Sequence, residues 1–81
     1  MNENATQLTS QVKELIAISA SIGGNCLPCL RYHFAEAKKL GVLIEEIKET
    51  IELAKLVKER PINDIYKLAE DLISREQIET N

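Results

Sequence analysis

The sequence predicts an all-α fold, a small antiparallel domain of about four helices that is completed by oligomerisation. Apolar residues recur at steps of three and four positions in four successive stretches, and glycine or proline separates these stretches. No stretch shows the alternation of a β-strand. The 81 residues make one domain, 1–81, with 44% apolar residues but no Trp and only one Phe. A chain this small buries only about 60% of its unfolded surface, so other copies are expected to complete its aliphatic core.

The first helix is predicted to begin near Leu8, after a polar and flexible segment 1–7. Helical spacing predicts that one face of this helix consists of Leu8, Val12, Leu15, Ile16, Ser19 and Ile22. Ile18 and Ala20 are predicted to widen this apolar face. Gly23-Gly24 is predicted to end this helix, because glycine is poor inside a helix and readily takes a left-handed conformation after it.

The second helix is predicted from Cys26 to Lys39. Asn25 is a good N-cap residue, and Pro28 falls in the first turn, where its missing N–H group has no intrahelical partner to lose. Gly41 is predicted to close the helix after Lys38-Lys39, whose charges suit a C-terminal dipole.

A third helix is predicted from Leu43 to Glu59, with a charge-rich face that includes Lys58 interpreted as solvated surface. Pro61 is predicted to end it, and Asn63 or Asp64 to cap a fourth helix with an apolar stripe at 65, 68, 69, 72 and 73. The polar segment 75–81 is expected to be flexible.

Charge and composition narrow the possible partners and location. The net charge is −3 with both signs interspersed, so no nucleic-acid partner is expected. No run of about 18 apolar residues is present, so no membrane partner is expected either. The N-terminus lacks the basic and apolar regions of a signal peptide, and the expected location is the cytoplasm.

The unusual chemistry is concentrated in Gly23–His33, which contains both cysteines and the only histidine of the chain. Cys26 and Cys29 are three residues apart, so their sulfur atoms can meet at a helix start, where free N–H groups and the helix dipole stabilise a thiolate. A thiolate beside a second thiol can attack a peroxide or a disulfide and then close an intramolecular disulfide. His33 lies one turn beyond Cys29 and can exchange a proton with its sulfur.

Three interpretations of this motif remain open, and a redox dithiol is favoured. The cysteines could be small buried hydrophobes, or Cys26, Cys29 and His33 could bind zinc with a fourth ligand from elsewhere. A thioredoxin fold is not expected, because no strand precedes Cys26.

The residues Glu14, Cys26, Cys29 and His33 resemble the motif of the alkylhydroperoxidase D-like branch of the carboxymuconolactone decarboxylase family. In that motif eleven residues separate Glu from Cys, two separate the cysteines, and three separate the second Cys from His, as they do here. The resemblance covers roughly residues 12–57, with 40–47 as its weaker part. It implies an all-helical fold that assembles as dimers, trimers or hexamers.

The resemblance also implies roles for these four residues. Glu14 would be the base and His33 the proton relay. Cys29 would be the peroxidatic thiol, and Cys26 the resolving thiol, which opens the mixed disulfide to a reducing partner. The implied activity is that of a peroxiredoxin-type, thiol-dependent peroxidase or disulfide oxidoreductase, with a hydroperoxide or disulfide substrate, a dithiol reductant protein and no cofactor. Some peroxidase members carry an additional His just before the second Cys, where this chain has Pro28. The alternatives are a zinc-binding or structural oligomerisation module, and an adaptor that passes dithiol equivalents between proteins.

Overall fold

The computed structural model describes residues 7–79, and within that range the chain forms three α-helices and no strand. They are α1 (Ser10–Gly23), α2 (Leu27–Lys39) and α3 (Ile44–Glu79). The all-α prediction is therefore confirmed, whereas the prediction of four helices is wrong, because the expected third and fourth helices are one. Of the segments expected to be flexible, residues 1–6 and 80–81 lie outside the described range, and residues 75–79 continue α3.

Pro61 lies inside α3 and does not end it. Proline removes the N–H group that would bond to the carbonyl of Val57. Val57 is 65% exposed and every described residue from 59 to 77 is exposed, so water can reach the freed carbonyl. The prediction failed because a proline disrupts an exposed helix less than a buried one, where no water replaces the lost partner.

The loop between α1 and α2 is set by Asn25, which has a left-handed φ of 56°. The Asn25 N–H group donates to the Ile22 carbonyl at 3.2 Å, and the Cys26 N–H group donates to the Ser21 carbonyl at 2.9 Å. This pair of bonds is the Schellman ending of a helix. Asn25, rather than Gly23 or Gly24, takes the left-handed position of α1, and the prediction that Asn25 caps α2 is wrong because that role falls to Cys26.

The connection from α2 to α3 repeats this ending and follows the sequence prediction. Gly41 has a φ of 80°, and the Val42 N–H group donates to the Ala37 carbonyl at 3.0 Å. At the start of α3, the Glu46 carboxylate accepts from the Leu43 N–H group at 3.2 Å. This is the side-chain half of a capping box, and it fixes where α3 begins.

A small aliphatic core holds the three helices together, and α1 packs against both α2 and α3. The fully enclosed cluster consists of Ile18, Ala37, Val42 and Ile47, and the half-buried residues around it are Leu15, Ile22, Leu30, Phe34 and Ile51. The predicted inner face of α1 is rotated from the real one, since Leu8, Val12 and Ile16 are exposed. Polar residues occupy part of the real inner face, and Glu14 is one of them.

Candidate active site

The Cys26–Cys29 pair lies at the N-terminus of α2 and forms a disulfide. Cys26 has an extended backbone, and its sulfur accepts a hydrogen bond from the Cys29 N–H group at 3.3 Å. Pro28 lies in the first turn as predicted, and its missing N–H group costs the helix nothing there. Cys26 is half-buried and Cys29 is exposed, so a reactant in solution can reach Cys29.

Glu14 and His33 meet across the interface between α1 and α2. The Glu14 Oε2 atom lies 2.6 Å from the His33 Nδ1 atom, and the two side chains are 20% and 29% exposed. A carboxylate on Nδ1 fixes the orientation of the imidazole ring and leaves Nε2 as its other exchangeable position. The structure therefore brings together two of the four residues selected from the sequence, although they are 19 positions apart.

The disulfide and the Glu14–His33 pair share α2 as their scaffold. His33 follows Cys29 by four residues, so the two side chains leave the same side of the helix one turn apart. Within residues 7–77, no hydrogen bond joins the Glu14–His33 pair to either sulfur atom of the disulfide. Cys29 and His33 lie one turn apart on α2, and proton exchange between them requires the thiol form or an intervening water molecule.

Lys58 is a site residue that the sequence reasoning missed. Its Nζ atom reaches from α3 to the end of α1, where it donates to the Ile22 carbonyl at 2.5 Å and to the Gly23 carbonyl at 3.3 Å. It also bonds to the Oδ1 atom of Asn25. Lys58 therefore holds the residue that directly precedes Cys26. The side chain belongs to a charge-rich helix, and no sequence signal distinguishes it from its solvated neighbours.

A cleft of about 460 Å³ opens beside Cys26. Its walls are mainly apolar, from Ile22, Leu27 and Leu30, and Lys58 lies at its edge. Leu27 is 71% exposed, so the mouth of the cleft is open to solvent. An apolar group could therefore approach the half-buried sulfur of Cys26 along this side of α2.

The ligand set considered for zinc is not assembled in this disulfide form. Among residues 7–77, no three or more His, Cys, Asp or Glu side chains are grouped so that they could hold a metal ion. Both cysteine sulfurs are bonded to each other, and Glu14 occupies one nitrogen of His33. In the same range, no helix has the length and apolar character needed to cross a bilayer.

Comparison with known proteins assigns the chain to a family. The model of the carboxymuconolactone decarboxylase family matches residues 1–59, which is most of the chain. The chain belongs to the carboxymuconolactone decarboxylase family. The match contains Glu14, both cysteines, His33 and Lys58, and it confirms the family expected from the motif. No curated protein and no solved structure matches the chain.

The family match ends inside α3. Residues 60–79 of this carboxymuconolactone decarboxylase family member continue the helix beyond residue 59, and they form no part of the matched region. The candidate site lies within the matched region, and the second half of α3 lies outside it.

Proposed function

We propose that the protein is a peroxiredoxin-type enzyme, a thiol-dependent peroxidase or disulfide oxidoreductase whose Cys26–Cys29 pair cycles between dithiol and disulfide. The observation that carries the proposal is the 2.6 Å contact between Glu14 and His33, one helical turn from Cys29. A carboxylate that orients a histidine beside a thiol is the arrangement used to activate a nucleophile. The family match supports the same chemistry at a coarser level.

In the proposed reaction, His33 accepts the proton of the Cys29 thiol, and Glu14 stabilises the resulting imidazolium. The Cys29 thiolate attacks the terminal oxygen of a hydroperoxide, the O–O bond breaks, and the alkoxide leaves with a proton as an alcohol. Cys29 is then a sulfenic acid. The Cys26 thiol attacks that sulfur, which releases water and forms the Cys26–Cys29 disulfide.

Regeneration of the enzyme needs a dithiol reductant. A reductant thiolate attacks the Cys26 sulfur and releases the Cys29 thiolate, and the second reductant thiol then frees Cys26 by forming the reductant's own disulfide. The sum is one hydroperoxide and one dithiol converted to an alcohol, water and one disulfide. A reducing compartment such as the cytoplasm would keep this cycle supplied. When the oxidant is a disulfide rather than a peroxide, the Cys29 thiolate attacks one of its sulfur atoms and releases a thiolate. The Cys26 thiol then attacks the Cys29 sulfur of the mixed disulfide and releases the second thiol, and regeneration by the reductant is unchanged.

The exposure of the two cysteines supports their different roles. Cys29 is exposed and on the His33 side of the helix, which suits the thiol that meets the oxidant. Cys26 is half-buried beside an apolar cleft, which suits the sulfur that meets the reductant. Pro28 stands where some related peroxidases have a histidine, and we therefore propose a slower peroxidase than those relatives.

Steady-state turnover of the purified protein tests this proposal. The assay measures consumption of an alkyl hydroperoxide, and in parallel of a small disulfide, with a dithiol as reductant. We expect turnover with at least one oxidant, and loss of that turnover in Cys29→Ser. Full turnover in Cys29→Ser would refute the mechanism. Turnover with the disulfide alone would assign the protein as a disulfide reductase.

An inactive protein would favour the alternative of a zinc-binding or structural module. Elemental analysis of protein prepared without added metal then decides: about one zinc per chain, together with thiols that do not react with a maleimide, identifies the zinc site. The same protein with reactive thiols and no zinc would leave a structural module.

A further inference from the structure

The second half of α3 is an amphipathic helix with an uncovered apolar face. α3 contains 36 residues, about 54 Å of helix at 1.5 Å per residue, whereas α1 and α2 contain 14 and 13 residues. The overall dimensions of 67 × 28 × 21 Å reflect this extension. Lys58 is half-buried, and every α3 residue from 59 to 77 is exposed.

The uncovered face continues the face that builds the core. Ile47, Ile51 and Ala54 of α3 face the core, and steps of three and four residues from them reach Ile62, Ile65, Ala69 and Leu72. In that continuation Ile65 is 59% exposed and Leu72 is 52% exposed. One stripe thus runs the length of α3, and only its first half is covered by α1 and α2.

A lone helix of this length is not stable in water by itself. Isolated helices shorter than about 12–15 residues are marginal even with favourable sequences, and longer ones in proteins owe most of their stability to packing of the apolar face. This helix also contains Pro61, which removes one backbone hydrogen bond. A contiguous exposed apolar stripe with polar flanks marks a surface that another protein covers.

We infer that this stripe, defined as Ile62, Ile65, Leu68, Ala69 and Leu72, pairs in antiparallel orientation with the same stripe of a second copy of the chain. The inference does not depend on the proposed redox function. Residues 59–77 form about 28 Å of exposed helix, and the face that carries the stripe is available to a partner along this length.

Charge along α3 favours the second copy and its orientation. Segment 55–60 carries three cations and one anion, for a net charge of +2, and segment 70–77 carries three anions and one cation, for a net charge of −2. Antiparallel pairing centred between Ile65 and Tyr66 places the positive segment of each chain beside the negative segment of the other. Parallel pairing would instead place segments of the same charge beside each other. A helix that binds an anionic membrane would instead carry a basic polar face.

This pairing brings the partner chain to the candidate active site. With the centre between Ile65 and Tyr66, the residue opposite Lys58 is Ile73 of the partner subunit. Segment 70–77 of the second copy therefore lies beside the Lys58 contact with the α1–α2 loop, next to the cleft at Cys26.

The mass of the full chain in solution tests the interface. Light scattering at micromolar concentration is expected to give twice the 9.1 kDa chain mass or an even multiple of it. Ile65→Glu, which puts two carboxylates together at the centre of the pair, is expected to halve that mass. Leu56→Glu is the matched control, since Leu56 is 66% exposed on the opposite side of α3 and should leave the mass unchanged. A monomeric wild type, or equal behaviour of the two variants, overturns the inference.

Cross-linking tests the orientation. Ile65→Cys and Leu72→Cys, both on the stripe, are each made in a chain whose own cysteines are replaced by serine. Disulfide formation needs Cβ atoms about 3.5–4.5 Å apart. Antiparallel pairing brings the two copies of position 65 together and keeps the two copies of position 72 about 20 Å apart along the axis. Cross-linking at 65 alone supports the inference, and cross-linking at 72, or at neither position, overturns the orientation.

Discussion

Replacing Lys58 tests how α3 supports the reactive loop. Lys58→Met keeps most of the aliphatic length of the side chain but removes the charged donor. The Ile22 carbonyl then loses a 2.5 Å hydrogen bond, and the side chain of Asn25 loses its partner. The 3.3 Å bond to the carbonyl of exposed Gly23 is longer, and we expect it to contribute little.

The expected loss of stability follows from these contacts. A hydrogen bond to a charged group contributes about 1.5–3 kcal/mol, and a cation near a helix C-terminus contributes about 0.3–1 kcal/mol. Water replaces part of this interaction at half-exposed acceptors. We therefore expect Lys58→Met to lower the free energy of unfolding by about 2 kcal/mol. For a domain of this size, that corresponds to a fall in Tm of roughly 8–16 °C.

The assay is thermal unfolding of the oxidised protein, followed by circular dichroism at one fixed concentration, because association changes apparent stability. Lys55→Met is the matched control, since Lys55 is an exposed lysine one turn earlier on α3. We expect it to change the free energy of unfolding by less than about 0.5 kcal/mol. Equal shifts in Tm for the two variants would refute the argument that Lys58 holds the loop.

Three further predictions concern the site, the core and the long helix. Glu14→Gln keeps a polar group opposite the histidine but removes the charge. This variant should slow disulfide formation by about 10²–10⁴-fold in a stopped-flow reaction with hydroperoxide. Glu36→Gln is the control, because Glu36 pairs with exposed Lys39, and it should not slow the reaction. Ile18→Ala should lower the free energy of unfolding, measured by chemical denaturation, by about 2–5 kcal/mol because Ile18 is 0% exposed. Ile16→Ala should lower it much less, because Ile16 is 52% exposed. Pro61→Ala should raise helix stability by up to about 3 kcal/mol and should slow amide hydrogen exchange near residue 61. Unchanged exchange near residue 61 would contradict a continuous helix.

The sequence predicted the helical class, the C-terminal end of α2 and the first-turn position of Pro28, because those features depend on local chemistry. Gly41 closes α2 through a left-handed turn, and Pro28 tolerates a first-turn position, in any tertiary context. The inner face of α1 was predicted less well, because Glu14 lies on it and masks its apolar period. The end of α3 was predicted wrongly, because the effect of Pro61 depends on exposure, which a sequence does not record.

In the candidate site, too, the features set by local sequence were predictable and those set by packing were not. The cysteine pair and its histidine are close in sequence, so their proximity followed from helix geometry. Glu14 was selected through family resemblance, and its contact with His33 depends on how α1 packs on α2. Lys58 was missed because its partners are backbone carbonyls more than 30 positions away, and a carbonyl has no sequence signature.

The central claim is that Cys29 attacks the oxidant and Cys26 resolves the product. Mass spectrometry of the reduced protein after one equivalent of hydroperoxide tests it most directly, with a dimedone trap for sulfenic acid. We expect the wild type to form one Cys26–Cys29 disulfide per peroxide consumed, and Cys26→Ser to stop as a dimedone adduct on Cys29. An adduct on Cys26 in Cys29→Ser at the wild-type rate, or no loss of thiol in either protein, would contradict the claim.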